Sequence, residues 1–288
     1  MLGHTDLLVV WQHPATKRFV VIGRLARDGE GFTFAYTRAA AQVERLRPLP
    51  GLPFGQRYHG ATMPPVFLQR VMSSAKPDFV RYVNGLGLSP TDVTPWEQIV
   101  HSGGQRNGDT LQFIPLPYVE QGRAKARFLV NGIQHVPGAH RLCDGREIMI
   151  TPERHSDVLD QLRAGDSLRI EAELNEQDDH ACLLTKDEEP VGWVPRILSR
   201  GMRELSRESS TYASVVRAGG ADVPPHLRVV VEVNTTAPPG FRFDPEGEWL
   251  PDVSRGCQVL GRRGAGWQKT TSRFAGQGRA PVRQRRRP

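Results

Sequence analysis

Hydrophobic and polar positions in the first third of the chain fall into short alternating runs. Leu7-Leu8-Val9-Val10-Trp11 and residues 18–25 are rich in β-branched and aromatic side chains. The polar stretch His13-Pro14-Ala15-Thr16-Lys17 divides them, which predicts a β-hairpin. Asp28-Gly29-Glu30-Gly31 supplies a second turn. Phe32-Thr33-Phe34-Ala35-Tyr36 then predicts a third strand whose aromatic positions 32, 34 and 36 share one face. From Leu46 the texture changes, and prolines at 48, 50, 53, 64 and 65 predict an extended, irregular crossing. Val66, Phe67, Arg70 and Val71 recur at near-helical spacing, and residues 78–86 predict another short helix ended by Gly87. Residues 101–110 form a glycine-rich polar loop entering a strand at 111–114. That loop lacks the Gly-Lys-Ser/Thr ending of a P-loop and precedes a strand instead of a helix, so it is read as a plain loop.

The second half has a different rhythm. Phe128-Leu129-Val130-Asn131-Gly132-Ile133-Gln134-His135 predicts a strand ending in a polar pair. Gly165-Asp166-Ser167-Leu168 opens a strand over 167–174, and a second strand is predicted over 180–186. Asn175-x-x-Asp178-x-x-Ala181 lies between them, and Val191-Gly192-Trp193-Val194-Pro195-Arg196 follows. Residues 196–207 predict a helix with Ile197, Leu198, Met202 and Leu205 on one face and Arg200, Arg203 and Arg207 on or near the other. Residues 206–225 are rich in Ser, Ala, Gly and Pro and predict a loop with a short helical turn. Residues 227–233 read as a strong closing strand. Beyond Asp252 large apolar residues are few and Gly and Arg many, so disorder is expected there.

Composition sharpens this picture. The 288 residues leave room for about two domains. The net charge of +7 belongs to the C-terminal end: residues 254–288 hold ten Lys or Arg and no Asp or Glu. Residues 1–253 therefore hold 28 basic and 31 acidic side chains, a balance of −3, and residues 125–235 hold 14 and 18, a balance of −4. A body of that sign cannot grip a polyanion through a broad basic surface; it needs a few directed contacts. Cys143, Cys182 and Cys257 stand far apart with no CxxC pair and no histidine at finger spacing, so no zinc site and no cofactor is expected. No apolar run is long enough to cross a membrane, and the first residues lack the pattern of a secretory signal. A reduced, cytoplasmic protein is the expectation.

The four clusters of the second half, in this order over about 70 residues, resemble a HIRAN domain, a small β-rich nucleic-acid-binding module built on a modified OB-like barrel. The first block is similar to the region that precedes HIRAN in bacterial proteins and, distantly, to the N-terminal subdomain of the HipA toxin kinases. That likeness covers residues 18–117 and rests on Gly23-x-Leu25, Gly31-Phe32-x-Phe34-x-Tyr36, Pro48-Leu49-Pro50-x-x-Pro53, Phe67-x-x-Arg70, Lys76-Pro77-Asp78-Phe79, Leu86-Gly87-Leu88 and Ser102-Gly103-Gly104. The resemblance implies an α+β chain with a HipA-N-like domain over 1–120, a HIRAN-like β-barrel over 125–236 and an irregular, disordered basic tail over 237–288.

It also implies a ligand: a single-stranded DNA 3′ end, or RNA, held in a pocket on the barrel by a non-catalytic module. Gln134 and His135 correspond to the polar pair after the first strand, Asn175, Gln177 and Asp178 to the Asn-x-x-Asp segment, and Trp193 and Arg196 to the Gly-x-x-x-Arg segment. In that pocket Asp178 would accept a hydrogen bond from a terminal 3′-hydroxyl, Arg196 would meet a phosphate, and Trp193 or His135 would stack on a base. The chain carries Gln177 where the helicase-associated modules carry an aromatic residue, and Gln134-His135 where they carry Arg-Tyr. Plainer roles stand beside these. Asn175 and Asp178 suit a turn between strands, Trp193 a partly buried barrel position, and Arg196 a solvated first turn of a helix. A protein–protein adaptor with incidental nucleic-acid binding by the Arg-rich tail is the competing class.

Overall fold

The computed structural model describes residues 6–106, 110–175, 178–207, 210–252, 258–262 and 267–270. It is an α+β structure of two mostly antiparallel sheets with few and short helices. The first sheet contains β1 (Asp6–Gln12), β2 (Phe19–Asp28), β3 (Gly31–Tyr36), β4 (Gln56–Gly60) and β5 (Leu111–Pro115). Helices α1 (Arg38–Gln42), α2 (Pro65–Leu68), α3 (Phe79–Gly85) and α4 (Pro95–Ser102) lie in the connections. The second sheet contains β6 (Tyr118–Glu120), β7 (Arg123–Leu129), β8 (Arg141–Cys143), β9 (Arg146–Ile148), β10 (Ser167–Leu174), β11 (Cys182–Lys186), β12 (Glu189–Trp193), β13 (Thr211–Ala218) and β14 (Val229–Thr236). Helices α5 (Pro152–Gln161), α6 (Arg196–Leu205) and α7 (Pro225–Arg228) accompany it.

The predicted β1–β2 hairpin and β3 are present, with β1 paired to β2 and to β5. Strand β1 is buried on both faces. Leu7 and Val9 pack with Ile22, Leu25, Phe34, Phe67 and Trp96. Leu8 and Val10 belong instead to the large core that includes Phe128, Ile170, Leu184 and Val231 of the second sheet. An unbroken apolar run is what a strand between two cores requires, because neither face meets water. Phe34 sits at the centre of the first core, edge-on to Tyr36 at 5.0 Å and to Phe67 at 5.4 Å between ring centroids.

In the second sheet the strands run β12-β11-β10-β13-β14-β7-β6, with the β8–β9 hairpin attached to β10. This path does not close into a barrel among the described residues. One end, β12, touches the chain just past the next-to-last strand β7 at a single bridge between Asn131 and Trp193, each donating its backbone N–H to the other at 2.8 Å. The expected strand over 128–135 stops early. Gly132 takes φ +67° and turns the chain into a 3-10 turn, Ile133–His135, so Gln134 and His135 leave the strand and stand exposed while Ile133 is buried. Glycine adopts this φ at no steric cost.

Three further expectations are corrected. The region 206–225, read as a loop, contains β13, where small side chains (Ala213, Ser214) mask an alternation that buries Ala213 and Val215 and exposes Tyr212 and Ser214. The strand expected at 227 begins at Val229, because Pro225–Arg228 form the single turn α7. Residues 237–252, placed with the irregular and disordered tail, hold no helix or strand but are packed: Phe241 is buried against α6, and Pro251 bridges Thr37. Beyond them, β15 (Gln258–Arg262) runs parallel to β4 and pairs with β16 (Trp267–Thr270), extending the first sheet. The rest of the disorder expectation lies outside the described residues. Among the described residues no helix is long and apolar enough to cross a membrane.

Candidate functional site

The second sheet buries two acidic side chains where alternation along β10 does not call for them. Glu171 and Glu173 are 1% and 2% exposed. The β8–β9 hairpin covers this face of β10, with Cys143 paired to Glu173. The hairpin turns on Asp144-Gly145, both at positive φ, the residue pair that a tight two-residue turn favours. It carries one arginine for each acid. Arg146 donates to Glu171 at 2.6 Å, and Arg141 donates to Glu173 Oε1 at 3.2 Å. A carboxylate in such a place is tolerable only when paired.

Glu173 is the hub of a larger arrangement. Its Oε2 accepts the indole N–H of Trp193 at 2.6 Å and the side-chain amide of Asn175 at 2.9 Å. Arg141 also donates to the backbone carbonyls of His135 at 2.5 Å and Val136 at 3.3 Å. Its guanidinium lies 4.3 Å from the Trp193 ring centroid, within cation–π range. One buried carboxylate and one guanidinium thus tie together β10, β12, the hairpin and the 3-10 turn. Gly132 completes the packing, since a Cβ there would approach the Trp193 ring to 2.6 Å.

Around this hub opens a cleft of about 660 Å³. His135, Asn175, Asp178, Trp193 and Arg196 line it, together with Gly132, Arg141 and Ser199. Its opposite wall comes from the first sheet, through Gln12, Lys17 and Phe19 of the β1–β2 hairpin. The Arg196 guanidinium carbon lies 5.9 Å from the Phe19 ring centroid, joining the two walls. Arg196 begins α6 directly after Pro195, whose carbonyl accepts from Leu198. The first turn of this ten-residue helix, with its electropositive end, therefore borders the cleft.

Five of the seven residues expected at the site are brought together in this cleft. Gln134 is adjacent, with its amide nitrogen 3.2 Å from His135 Nε2, but it does not line the cleft. Gln177 lies outside the described residues. For Trp193 and Asp178 the geometry shows the plainer roles expected beside the ligand roles. Trp193 has Arg141 over its ring and its N–H on Glu173, so it is a supporting wall and not an open stacking platform. Asp178 is also a turn former: its Oδ1 accepts the backbone N–H of His180 at 3.0 Å, and its carbonyl accepts that of Ala181.

Arg141, Glu173, Lys17 and Phe19 were not anticipated. The signal for the first two was present, because two glutamates inside an apolar strand demand nearby cations. Lys17 and Phe19 come from a hairpin more than 100 residues away, which only the packing of the two sheets reveals. Burial pushes the thiols of Cys143 and Cys182 up to about 12, aided at Cys143 by Glu173, Glu171 and Asp144; neither is primed as a nucleophile. Among the described residues no group of three or more His, Cys, Asp or Glu is placed to hold a metal ion.

Comparison with protein-family models, curated proteins and solved structures finds no match to this chain.

Proposed function

We propose that the chain is a non-catalytic nucleic-acid-binding protein of the HIRAN type, whose second sheet is a partly open OB-like barrel and whose cleft receives the 3′ end of a single DNA strand. The observation that carries the reading is the convergence of His135, Asn175, Asp178 and Arg196 on one cleft beside a rigid Trp193–Glu173–Arg141 support. Its volume falls in the range of about 300–1,000 Å³ usual for small-ligand sites, which suits one or two nucleotides. The two-bond bridge that links β12 to the chain just past β7 supports the barrel reading.

Each group has a part to play. Arg196 and Lys17 supply positive charge for a phosphate near the first turn of α6. The exposed ring of His135 takes the stacking role, since the Trp193 ring is covered by Arg141. Asp178 accepts from the terminal hydroxyl, a group that internal nucleotides lack. Such a site reads an end and does not need a basic body.

The test measures binding of a short fluorescent oligonucleotide carrying either a 3′-hydroxyl or a 3′-phosphate. A hydrogen bond to a charged acceptor is worth about 1.5–3 kcal/mol, so the hydroxyl form should bind roughly tenfold or more tightly. Asp178→Ala should erase the preference, and Arg196→Ala should weaken both forms. Equal binding of the two ends would reject the reading and leave the Arg-rich tail as the source of any affinity.

A further inference from the structure

We infer that α6 carries a phosphate rail leading a single strand out of the cleft into a second basic pocket, an inference that rests on the reading of the cleft just given. Arg196, Arg200, Arg203 and Arg207 recur at i, i+4, i+7 and i+11, so they fall within one narrow stripe of a helix. The backbone keeps its helical sense past Leu205: Ser206 is in the αR region, and Arg207 N–H bonds to the Glu204 carbonyl. Arg196, at the start of the stripe, lines the cleft. Arg203 and Arg207, at its end, line a separate pocket of about 390 Å³ with Arg169, His180 and Ser206.

In the turn at residues 178–181, Asp178 lines the cleft and Asp179 and His180 line the second pocket. Arg203 pins this turn to α6, donating to the carbonyls of Glu173 at 3.3 Å and Asp179 at 2.9 Å. The acidic groups lining the second pocket are Asp144 and Asp179, and Asp144 stands 3.7 Å from Arg169. Arg169 also pairs with the buried Glu171 at 3.2 Å, so Arg203 and Arg207 are the cations left to face Asp179. Arg200, midway, is paired with Glu246 at 2.7 Å but keeps 59% of its side chain exposed. Ser206 also lines the pocket, and its hydroxyl is buried without a hydrogen-bond partner among the described residues.

The spacing matches a repeating anion. At helical rise the eleven steps from Arg196 to Arg207 cover about 16 Å, which is roughly four or five phosphates at the 3.4 Å rise of a stacked strand. That length lies at the lower end of the footprint of about 4–16 nucleotides per OB-type domain. A strand held by its 3′ end in the cleft would thus place its upstream phosphates along α6.

The experiment uses the full chain and thymidine oligonucleotides of two, four and six residues with 3′-hydroxyl or 3′-phosphate ends. Affinity for the hydroxyl form should rise from two to six residues. Arg207→Gln should lower hexanucleotide affinity about three- to tenfold, leave the dinucleotide unchanged, and reduce the salt slope by about 0.7. Arg207→Lys should restore most of the loss. If the hydroxyl preference persists while Arg207→Gln binds the hexanucleotide as the parent chain does, the rail is wrong and the cleft stands. If no length shows an end preference, the reading of the cleft and the rail fall together.

Discussion

The indole N–H of Trp193 is donated to Glu173 at 2.6 Å, inside a site where that carboxylate also meets Arg141 and Asn175. Glu173 and Arg141 are both largely removed from solvent, with side chains 2% and 11% exposed. Their value lies in mutual dependence. A buried pair adds little over an apolar pair of similar size, but removing one member strands the other.

Glu173→Gln should therefore destabilise the fold by about 3 kcal/mol or more, because Arg141 would keep its charge without a counter-ion. The urea midpoint is the readout. The double variant Glu173→Gln/Arg141→Met should recover part of the loss. A single variant as stable as the parent would show that the pair does not organise the site.

Gly132→Ala should be costly for two independent reasons. The position has φ +67°, and the new methyl would meet the Trp193 ring. Together these predict a loss of about 1–3 kcal/mol and weakened oligonucleotide binding, because the ring supports the cleft wall. An unchanged melting temperature would contradict this.

Acid should destabilise the protein through His155. The ring is buried and donates from Nε2 to the Val191 carbonyl at 3.2 Å, and burial, reinforced by Arg228 and Arg141, lowers its pKa. The folded pKa then lies below the unfolded value of about 6.5. Below that value the unfolded chain binds the proton and the folded chain does not, so stability falls as pH drops through the window between the two. Burial acts in the same direction at His101 and His226. Urea midpoints at pH 7.5 and 5.5 should differ, and His155→Asn should narrow the gap.

Cys143 and Cys182 should resist iodoacetamide in the native state at pH 8 and react on denaturation. Burial holds both thiols in the protonated form, up to about 12. Peptide-level mass spectrometry separates the sites, and rapid native labelling of either would show that its cover opens readily.

The legible parts of the fold were those whose apolar pattern is uniform. Strands β1 to β3, β10 and β11 and helix α6 follow directly from the pattern of apolar side chains. What escaped depended on small residues or on local chemistry. In β13, Ala213 and Ser214 gave the alternation no amplitude. Helix α4 announces itself through capping: Thr94 accepts from the Glu97 backbone while Glu97 reaches back to the Thr94 N–H. Helix α5 begins in a related way, with Thr151 accepting from Arg154 and Pro152 in the first turn. At the site, short-range motifs indicated His135, Asn175, Asp178, Trp193 and Arg196. Glu171 and Glu173 inside an apolar strand signalled a need for cations, but which arginine answers Glu173 was not legible, because Arg141 lies 32 residues away.

The opening that faces Trp193 is roofed by Lys17 and Phe19, which hang from the strand hairpin at the other end of the sequence. Anything lodged there touches both halves at once and works as a clasp. Its arrival should slow amide exchange around residues 12–19 as much as in the loop preceding β11, although the two segments are separated by more than 150 positions.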